Sequence, residues 1–453
     1  MTSLTLVTVL IIACGLLIRN GYGRALALGG VTASGAAVVV GDVAVPTFYA
    51  VALGTIVLLG LTLLGDGKTP TPTRRALPPA VSLLLFFLIW SVLVTLVAPV
   101  LFDGMTVSVP AGPPRLTATA FTTSNIAQVV YLALGVAVVL LLARSPRSGP
   151  EIIGLLAGLT TLLSLWRYLH QLTGLPFPEG VLDNSPSFAY IETAPNDVER
   201  FRGISSEPAG LAGSSLVTIA YMLPRSLQVR GWRRAGALLV AAAAAYLGVI
   251  STSATFVVAG VAIALIAGLA SAAGFLLRRT PVSAIASVVT CVLVVVAVWI
   301  LPIATDFVET TVNDKVSSDS FTERSSANST SLGVFIDTFG LGVGLGANRA
   351  SSFVPSLLST TGILGTLLFV AAVATLIRRS APIREYRPVL WALVGLLVAK
   401  VIAGPDLSDT TGVLWISLGL LSHAALKADP NDSRGSPAGD RLGHTSDWLR
   451  LSL

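Results

Sequence analysis

The feature that most constrains this chain is a repeated alternation of apolar stretches with short polar loops, in which every second loop is basic. A helix rises 1.5 Å per residue, so about 20 residues cross the hydrocarbon core of a bilayer. The sequence therefore predicts an all-α polytopic membrane protein with about 12–14 transmembrane helices. The predicted spans cover residues 4–18, 25–41, 46–64, 79–102, 121–143, 151–166, 209–224, 235–250, 253–277, 282–304, 355–377, 388–404 and 411–426.

Composition supports the bilayer as the solvent for most of the chain. Apolar residues make up 53% of the sequence and charged residues only 11%, whereas a soluble domain carries about 25% charged residues. The first apolar stretch follows Met1 almost directly, without the charged leading region of a cleaved signal peptide. We therefore expect residues 4–18 to be a retained span.

The basic residues predict the orientation. If the odd-numbered connections and the C-terminal tail lie in the cytoplasm, that side holds 21 of the 29 basic residues, and the other side holds 16 of the 23 acidic ones. The positive-inside rule then predicts an outside N-terminus and a cytoplasmic C-terminus. The net charge of +6 thus arises from basic residues at the ends of the membrane spans. We therefore expect no nucleic-acid partner.

The sequence predicts one transmembrane domain over residues 1–427 and a disordered cytoplasmic tail over 428–453. Two long outer loops, 167–208 and 305–354, are polar and are expected to be irregular, so activity is expected on the outer face. The sequence contains no nucleotide-binding loop. Its two cysteines and three histidines have no metal-ligand or disulfide spacing. We therefore expect neither a cofactor nor a metal.

The first outer loop ends with arginines on the side of the membrane where the rule disfavours them. Arg200 and Arg202 precede Glu207 and Pro208, which lead into a small-residue helix that Ser206 is expected to cap. A helix N-terminus beside two arginines is suited to bind a phosphate or pyrophosphate. The alternative is a capped helix whose arginines only anchor it at the interface.

The second outer loop ends in alternating glycines. Gly342, Gly344 and Gly346 precede Arg349, and such a run either lets a ligand approach the backbone closely or forms a tight turn back into the membrane. Arg324 lies earlier in the same loop. Other charged groups have simpler interpretations, which are interfacial anchoring for Arg167 and His170 and snorkelling for Lys400.

Together these segments resemble the O-antigen polymerase/ligase superfamily, which comprises Wzy-type polysaccharide polymerases and O-antigen ligases. The resemblance is carried by Arg202-Gly203-x-x-x-Glu207-Pro208 before a helix and by the Phe339–Gly346 run late in the chain. The Ser251–Ser253 turn and the Arg202 to Gly213 spacing add to it. The ligases place a histidine shortly after the glycine run, and here residues 349–353 contain none, which favours the polymerase branch.

The resemblance implies a GT-C-like bundle in the bacterial inner membrane. It implies a metal-independent glycosyltransferase that polymerises undecaprenyl-pyrophosphate-linked oligosaccharide repeats of O-antigen, capsule or exopolysaccharide on the outer face, alongside a flippase and a chain-length regulator. Alternatives are ligase-type transfer to another acceptor, a lipid-linked-glycan flippase or transporter, and a scaffold. The expected catalytic residues are Arg202, Glu207 and Arg349, and the expected pyrophosphate- or glycan-binding residues are Arg200, Arg324, Gly342, Gly344 and Gly346.

The expected chemistry is stabilisation of a pyrophosphate leaving group. Arg202 is the first candidate for this role, because its guanidinium can balance the negative charge that develops in the transition state. Glu207 is the candidate base for the acceptor hydroxyl. Because a helix N-terminus favours the ionised carboxylate, Glu207 alternatively only orients Arg202 or the acceptor.

Overall fold

The computed structural model describes residues 2–18, 21–41, 43–65, 77–108, 115–118, 120–186, 188, 190, 200–278 and 319–427. Three predicted segments lie outside these residues: the span 282–304, the start of the second outer loop (305–318) and the tail 428–453. The described residues form thirteen α-helices, one two-stranded hairpin and one 3-10 turn.

Most of the helices overlap the predicted apolar spans. The helices are α1 (Ser3–Leu17), α2 (Tyr22–Val31), α3 (Thr47–Gly65), α4 (Pro79–Leu101), α5 (Thr123–Arg144), α6 (Glu151–Thr173), α7 (Pro208–Ser226), α8 (Trp232–Ile250), α9 (Ala254–Arg278), α10 (Asp319–Asp337), α11 (Phe353–Ser380), α12 (Arg387–Ile402) and α13 (Val413–Lys427). The hairpin joins β1 (Ala36–Val40) to β2 (Val43–Pro46), and the 3-10 turn is Arg384–Tyr386.

Six of the helices are long and apolar enough to cross a membrane, which agrees with the predicted multi-pass membrane protein. They are α4, α5, α6, α8, α9 and α11. Many of their large apolar side chains are exposed, among them Phe86, Ile89 and Leu367, as expected where lipid is the solvent. The sequence prediction of a mostly helical membrane bundle is therefore confirmed at this level.

The centre of the bundle is α13, whose residues Val413 to Ala425 are all buried. A helix that is apolar on every side belongs in the interior. It packs against α5, where glycines remove the side chains that would keep the two helices apart. A Cβ at Gly135 of α5 would overlap the Trp415 ring, and one at Gly419 of α13 would lie 2.8 Å from Leu142 Cβ.

The predicted second span, 25–41, is wrong as a single helix. Helix α2 ends at Val31, and the chain continues into the antiparallel β1–β2 hairpin, in which Val38 pairs with Val45 and Val40 with Val43. Consecutive β-branched valines favour an extended backbone, and Gly41 adopts the positive φ that the turn needs. The segment is apolar, as predicted. It is not one helix, because its second half forms a β-strand.

The outer loops are also more ordered than expected. Helix α6 continues beyond residue 166 to Thr173 and ends at Gly174, whose φ is +71°. In the second loop, the polar segment Asp319–Asp337 forms α10, which packs on α11. Its Ser331 and Val334 are buried against the bundle. A polar helix of this kind is stabilised by tertiary contacts, which the sequence pattern does not display.

Among the described residues, contacts join loops that the charge pattern places on the same side of the membrane. On one end, here called the basic face, Tyr386 Oη donates to the Ser148 carbonyl at 2.7 Å. On the other end, here called the loop face, the Ala36 amide donates to Asn184 at 2.8 Å. The assignment of the basic face to the cytoplasm stays a prediction.

Candidate functional site

Arg202, the first candidate from the sequence, lies in a buried ion-pair network on the loop face. Its Nη2 is 2.6 Å from Asp183 Oδ2, and Arg167 Nη1 is 2.7 Å from the same oxygen. Arg202 also donates to the Ser205 carbonyl at 2.7 Å and stacks over the Tyr190 ring at 5.0 Å. Only 4% of Arg202 is exposed. This arginine therefore fixes its loop to α6, which favours a positioning role, and its expected role as the first pyrophosphate contact stays a prediction.

Asp183 was missed by the sequence interpretation, and Arg167 is not an interfacial anchor. Burial by itself would raise the pKa of the Asp183 carboxyl, but the hydrogen bonds and positive charges of Arg202 and Arg167 outweigh it, so the pKa is lowered. The carboxylate stays ionised and bridges the two guanidinium groups. A single aspartate in a polar loop has no distinguishing pattern, so only the fold identifies it.

Arg200, Glu207 and Arg324 form a second group, here called the guanidinium cluster. Arg324 Nη2 lies 3.8 Å from Glu207 Oε2, and both side chains are about half exposed. The pKa of Arg200 is lowered by burial first and by the nearby positive charge of Arg324 second, and Glu207 opposes this shift. Arg324 and Glu207, one from each long loop region, thus form an ion pair, and the charges of both act on Arg200.

The turn after α8 holds Arg200 in this cluster. Arg200 Nε donates to Thr252 Oγ1 at 3.2 Å, and its Nη2 donates to the Thr252 carbonyl at 3.1 Å. Thr252 has a φ of +48°, which is rare for a β-branched residue. The Ser251–Ser253 segment, singled out in the sequence as part of the family resemblance, therefore positions an arginine.

The start of α7 differs in one detail from the expectation. Pro208 is the first helical residue, as predicted, but the N-cap residue is Glu207 rather than Ser206, and no side chain caps the helix. The Glu207 carboxylate instead faces Arg324. Because it is not engaged by the helix amides, it is available to a ligand at the guanidinium cluster.

A cavity of about 190 Å³ lies next to Glu207 on the loop face, and is here called the loop-face cavity. It is lined by the first turns of α7 and by the end of α12, including Lys400. Several hydroxyl side chains also line it, and Thr160 Oγ1 has no hydrogen-bond partner among the described residues. The hydroxyl and charged groups suit a sugar or another polyol.

Lys400 was expected to snorkel, but only 8% of it is exposed. Its Nζ donates to the Asp406 carbonyl at 2.8 Å, lies 3.9 Å from Asp409 Oδ1 and is 5.9 Å from the centre of the Phe353 ring. Asp409 in turn accepts the Leu414 amide at the start of α13. A buried lysine paired with a buried aspartate is a functional candidate that the sequence interpretation set aside.

Arg349 lies beside this pair rather than in the guanidinium cluster. Its Nη2 is 3.7 Å from Asp406 Oδ2, and its amide donates to the Ser108 carbonyl at 2.7 Å. About half of the Arg349 side chain is exposed. The structure therefore places Arg349 close to the Lys400 side of the loop-face cavity.

The glycine run is packed into the bundle. A Cβ at Gly344 would lie 2.6 Å from Thr95 Cα, and one at Gly346 would lie 2.6 Å from Ser124 backbone atoms. The amides of Gly342 and Gly344 donate to Thr338 Oγ1 and to the Thr360 carbonyl. These two amides are thus already used within the protein, which favours the tight-turn alternative. Glycan contact at Gly342, Gly344 and Gly346 stays a prediction.

No protein-family model matches this chain, and no curated protein is similar to it. Within the described part of the chain, no group of three or more His, Cys, Asp and Glu side chains is arranged to hold a metal ion. Together, the guanidinium cluster and the loop-face cavity are suited to bind an anion next to a polyol.

Proposed function

We propose that the protein is a membrane glycosyltransferase that polymerises polyprenyl-pyrophosphate-linked oligosaccharide repeats, with undecaprenyl pyrophosphate as the leaving group. The observation that carries the proposal is the guanidinium cluster. Arg200 of the segment before α7 and Arg324 of α10 lie near one carboxylate, Glu207, at one end of a helical bundle. The excess positive charge is accessible, and it lies beside a cavity whose mainly apolar lining includes several hydroxyl groups.

In the proposed reaction, an acceptor sugar hydroxyl attacks the anomeric carbon of the donor glycan. The new glycosidic C–O bond forms as the bond to the pyrophosphate oxygen breaks, and the electron pair leaves with the pyrophosphate. Arg200 and Arg324 stabilise that developing charge. Glu207 receives the proton of the acceptor hydroxyl or orients that hydroxyl, and it lines the cavity in which the acceptor sugar would lie.

Arg202 enters the proposal as a positioning residue. Its contacts with Asp183 and with the Ser205 carbonyl fix the segment between α6 and α7, and Arg200 and Glu207 are part of that segment. Arg349, beside Lys400, is the candidate for contacts with the more distant part of the glycan. In the proposed setting, the bundle lies in a bacterial inner membrane with its loop face outside, and a flippase and a chain-length regulator are its expected partners.

There are three alternatives: a ligase, a flippase or transporter, and a scaffold. Ligase-type transfer uses the same leaving group and differs only in the acceptor, and the absence of a histidine in residues 349–353 disfavours it. A flippase or transporter is favoured by the buried Lys400–Asp409 pair, since buried ionisable groups often mark transport pathways. A scaffold would tolerate loss of the whole guanidinium cluster.

The proposal is tested by deleting the gene and profiling surface glycan length together with undecaprenyl-linked intermediates. We expect polymer to disappear while single repeat units persist, and a plasmid-borne copy to restore the polymer. Accumulation of long lipid-linked polymer would instead identify a ligase. Transport of labelled lipid-linked sugar into vesicles without covalent extension would identify a transporter. No change in either pool would overturn the proposal.

A further inference from the structure

The basic face contains a second cavity, of about 440 Å³, that no step of the proposed reaction uses. It is here called the basic-face cavity. Its walls come from four separate parts of the chain: the junction of α1 and α2, the loop between α5 and α6, the 3-10 turn before α12 and the end of α13. The cavity is open to solvent and is lined mainly by polar groups.

Three cations converge on this cavity from different elements: Arg24 of α2, Arg147 of the α5–α6 loop and Lys427 at the end of α13. Two carboxylates, Glu151 and Glu385, also line it. The lining therefore has one excess positive charge. The positive-inside rule accounts for cations on this face, but it does not require three of them to meet in one concavity.

One of the two carboxylates, Glu151, lies over the start of α6. A Cβ at Gly149 would overlap the Glu151 carboxylate, which shows that this side chain folds back over the start of α6. The positive end of the α6 dipole already compensates a carboxylate in that place. Ser148 is buried beside it, and its hydroxyl has no hydrogen-bond partner among the described residues. A phosphate oxygen would supply the missing acceptor.

One edge of the cavity is apolar and continuous with the outside of the bundle. Ile18, at the end of α1, lines the cavity, and its neighbour Leu17 is 84% exposed. A free phosphate has no apolar part that could pack against this edge, whereas the acyl chain of a lipid would lie against it. Basic pockets between transmembrane helices on the cytoplasmic side are suited to anionic lipid headgroups.

We propose that the basic-face cavity binds the phosphodiester headgroup of a monoanionic phospholipid. Arg24, Arg147 and Lys427 line the site of the phosphate, the buried Ser148 hydroxyl donates to a phosphate oxygen, and the acyl chains lie along Leu17 and Ile18. The assignment does not depend on the proposed glycosyltransferase activity, because it concerns the opposite end of the molecule.

The test uses the full-length protein purified in a neutral detergent with phosphatidylcholine. Phosphatidylglycerol is titrated in and bound lipid is measured by native mass spectrometry, with inorganic phosphate as a separate probe. The variants are Arg24→Gln combined with Arg147→Gln, and Lys427→Gln alone, which changes only an exposed helix end. The matched control combines Arg233→Gln with Arg234→Gln, because these exposed arginines lie on the same face but do not line the cavity.

We expect the double cavity variant to retain about tenfold less phosphatidylglycerol than the wild type, because two charge-assisted hydrogen bonds are lost. Lys427→Gln should give a smaller decrease in the same direction, and the control variant should match the wild type. Equal retention in the cavity variants, or an equal loss in the control variant, would overturn the proposal. Binding of inorganic phosphate without retention of phosphatidylglycerol would overturn the lipid assignment.

Discussion

The Nη2 atom of Arg202 lies 2.6 Å from Oδ2 of Asp183, and both side chains are largely withdrawn from solvent. The same oxygen receives Arg167 at 2.7 Å, so one carboxylate joins α6 to the segment that leads into α7. Breaking such a pair by removing one partner leaves a buried charge without compensation. The geometry of the guanidinium cluster therefore depends on a buried contact between residues outside that cluster.

Replacing Asp183 with Asn should destabilise the protein strongly. Two buried guanidinium groups would lose their shared counterion, at a cost of about 3 kcal/mol in the free energy of unfolding. Thermal unfolding of the purified protein in detergent measures this cost. Asp337→Asn is the matched control, because Asp337 is an exposed carboxylate at the end of α10. Equal stability of the two variants would show that the network has no structural role.

The same ion pairs predict a dependence of stability on pH. The pKa of Asp183 is lower in the folded protein than in the unfolded chain, so its contribution is fully present above a pH of about 4 and is lost as the pH falls through the folded value. Thermal melts between pH 7 and pH 3 measure this. Asp183→Asn should lose less stability than the wild type below pH 4. Parallel curves for the two proteins would contradict the assignment.

Charge neutralisation in the guanidinium cluster should lower glycan polymerisation. We expect Arg200→Gln and Arg324→Gln each to reduce the rate of polymer formation about tenfold, because each removes a cation from the developing pyrophosphate charge. The readout is glycan length in cells complemented at matched protein levels. Arg115→Gln is the control, because Arg115 is an exposed arginine of another loop. Full polymer length in both cluster variants would contradict the proposed role.

The variant Glu207→Gln separates two roles for this carboxylate. If Glu207 accepts the acceptor proton, the rate of transfer falls and the remaining rate loses its dependence on pH. If Glu207 only orients the acceptor or Arg324, the amide keeps part of the hydrogen bonding and the rate falls little. Initial rates with a lipid-linked donor, measured across pH, distinguish the two. A normal rate at every pH would exclude proton abstraction.

A methyl group at Gly344 should disrupt the packed glycine run. Gly344 has a φ of +92°, and its added Cβ would lie 2.6 Å from Thr95 Cα, so strain and a backbone clash together should cost about 2 kcal/mol or more. The abundance of folded protein after detergent extraction measures the effect of Gly344→Ala. The control is Gly333→Ala in α10, where a Cβ would meet nothing within 4 Å, and this variant should be as abundant as the wild type.

For the glycine run and for Lys400, the sequence predicted only part of what the structure shows. Alternating glycines predicted either a ligand contact or a tight turn, and the structure favours the turn because neighbouring helix backbones fill the space. Lys400 was explained by its position near a helix end, which says nothing about its partner. Its partner, Asp409, lies in a separate loop before α13, and such a pairing is not encoded in local spacing.

The sequence by itself determined that the chain is a multi-pass membrane protein, and it predicts a sidedness of the loops that no observation has tested. The length of an apolar segment and the basic residues beside it are local properties of the sequence. Each span can therefore be predicted independently of the others. For this reason most predicted spans coincide with helices. The failure at residues 25–41 came from an apolar segment whose β-branched valines favour a hairpin over a continued helix.

Only the tertiary structure decided which arginines are buried and which are available to a ligand. Arg200 and Arg202 are two residues apart, yet one joins Arg324 in the guanidinium cluster and the other is enclosed by Asp183 and Tyr190. Their environments depend on residues from α6, from α10 and from the turn after α8. Burial and charge pairing are set by chain segments that meet only after folding, and these segments are far apart in the sequence.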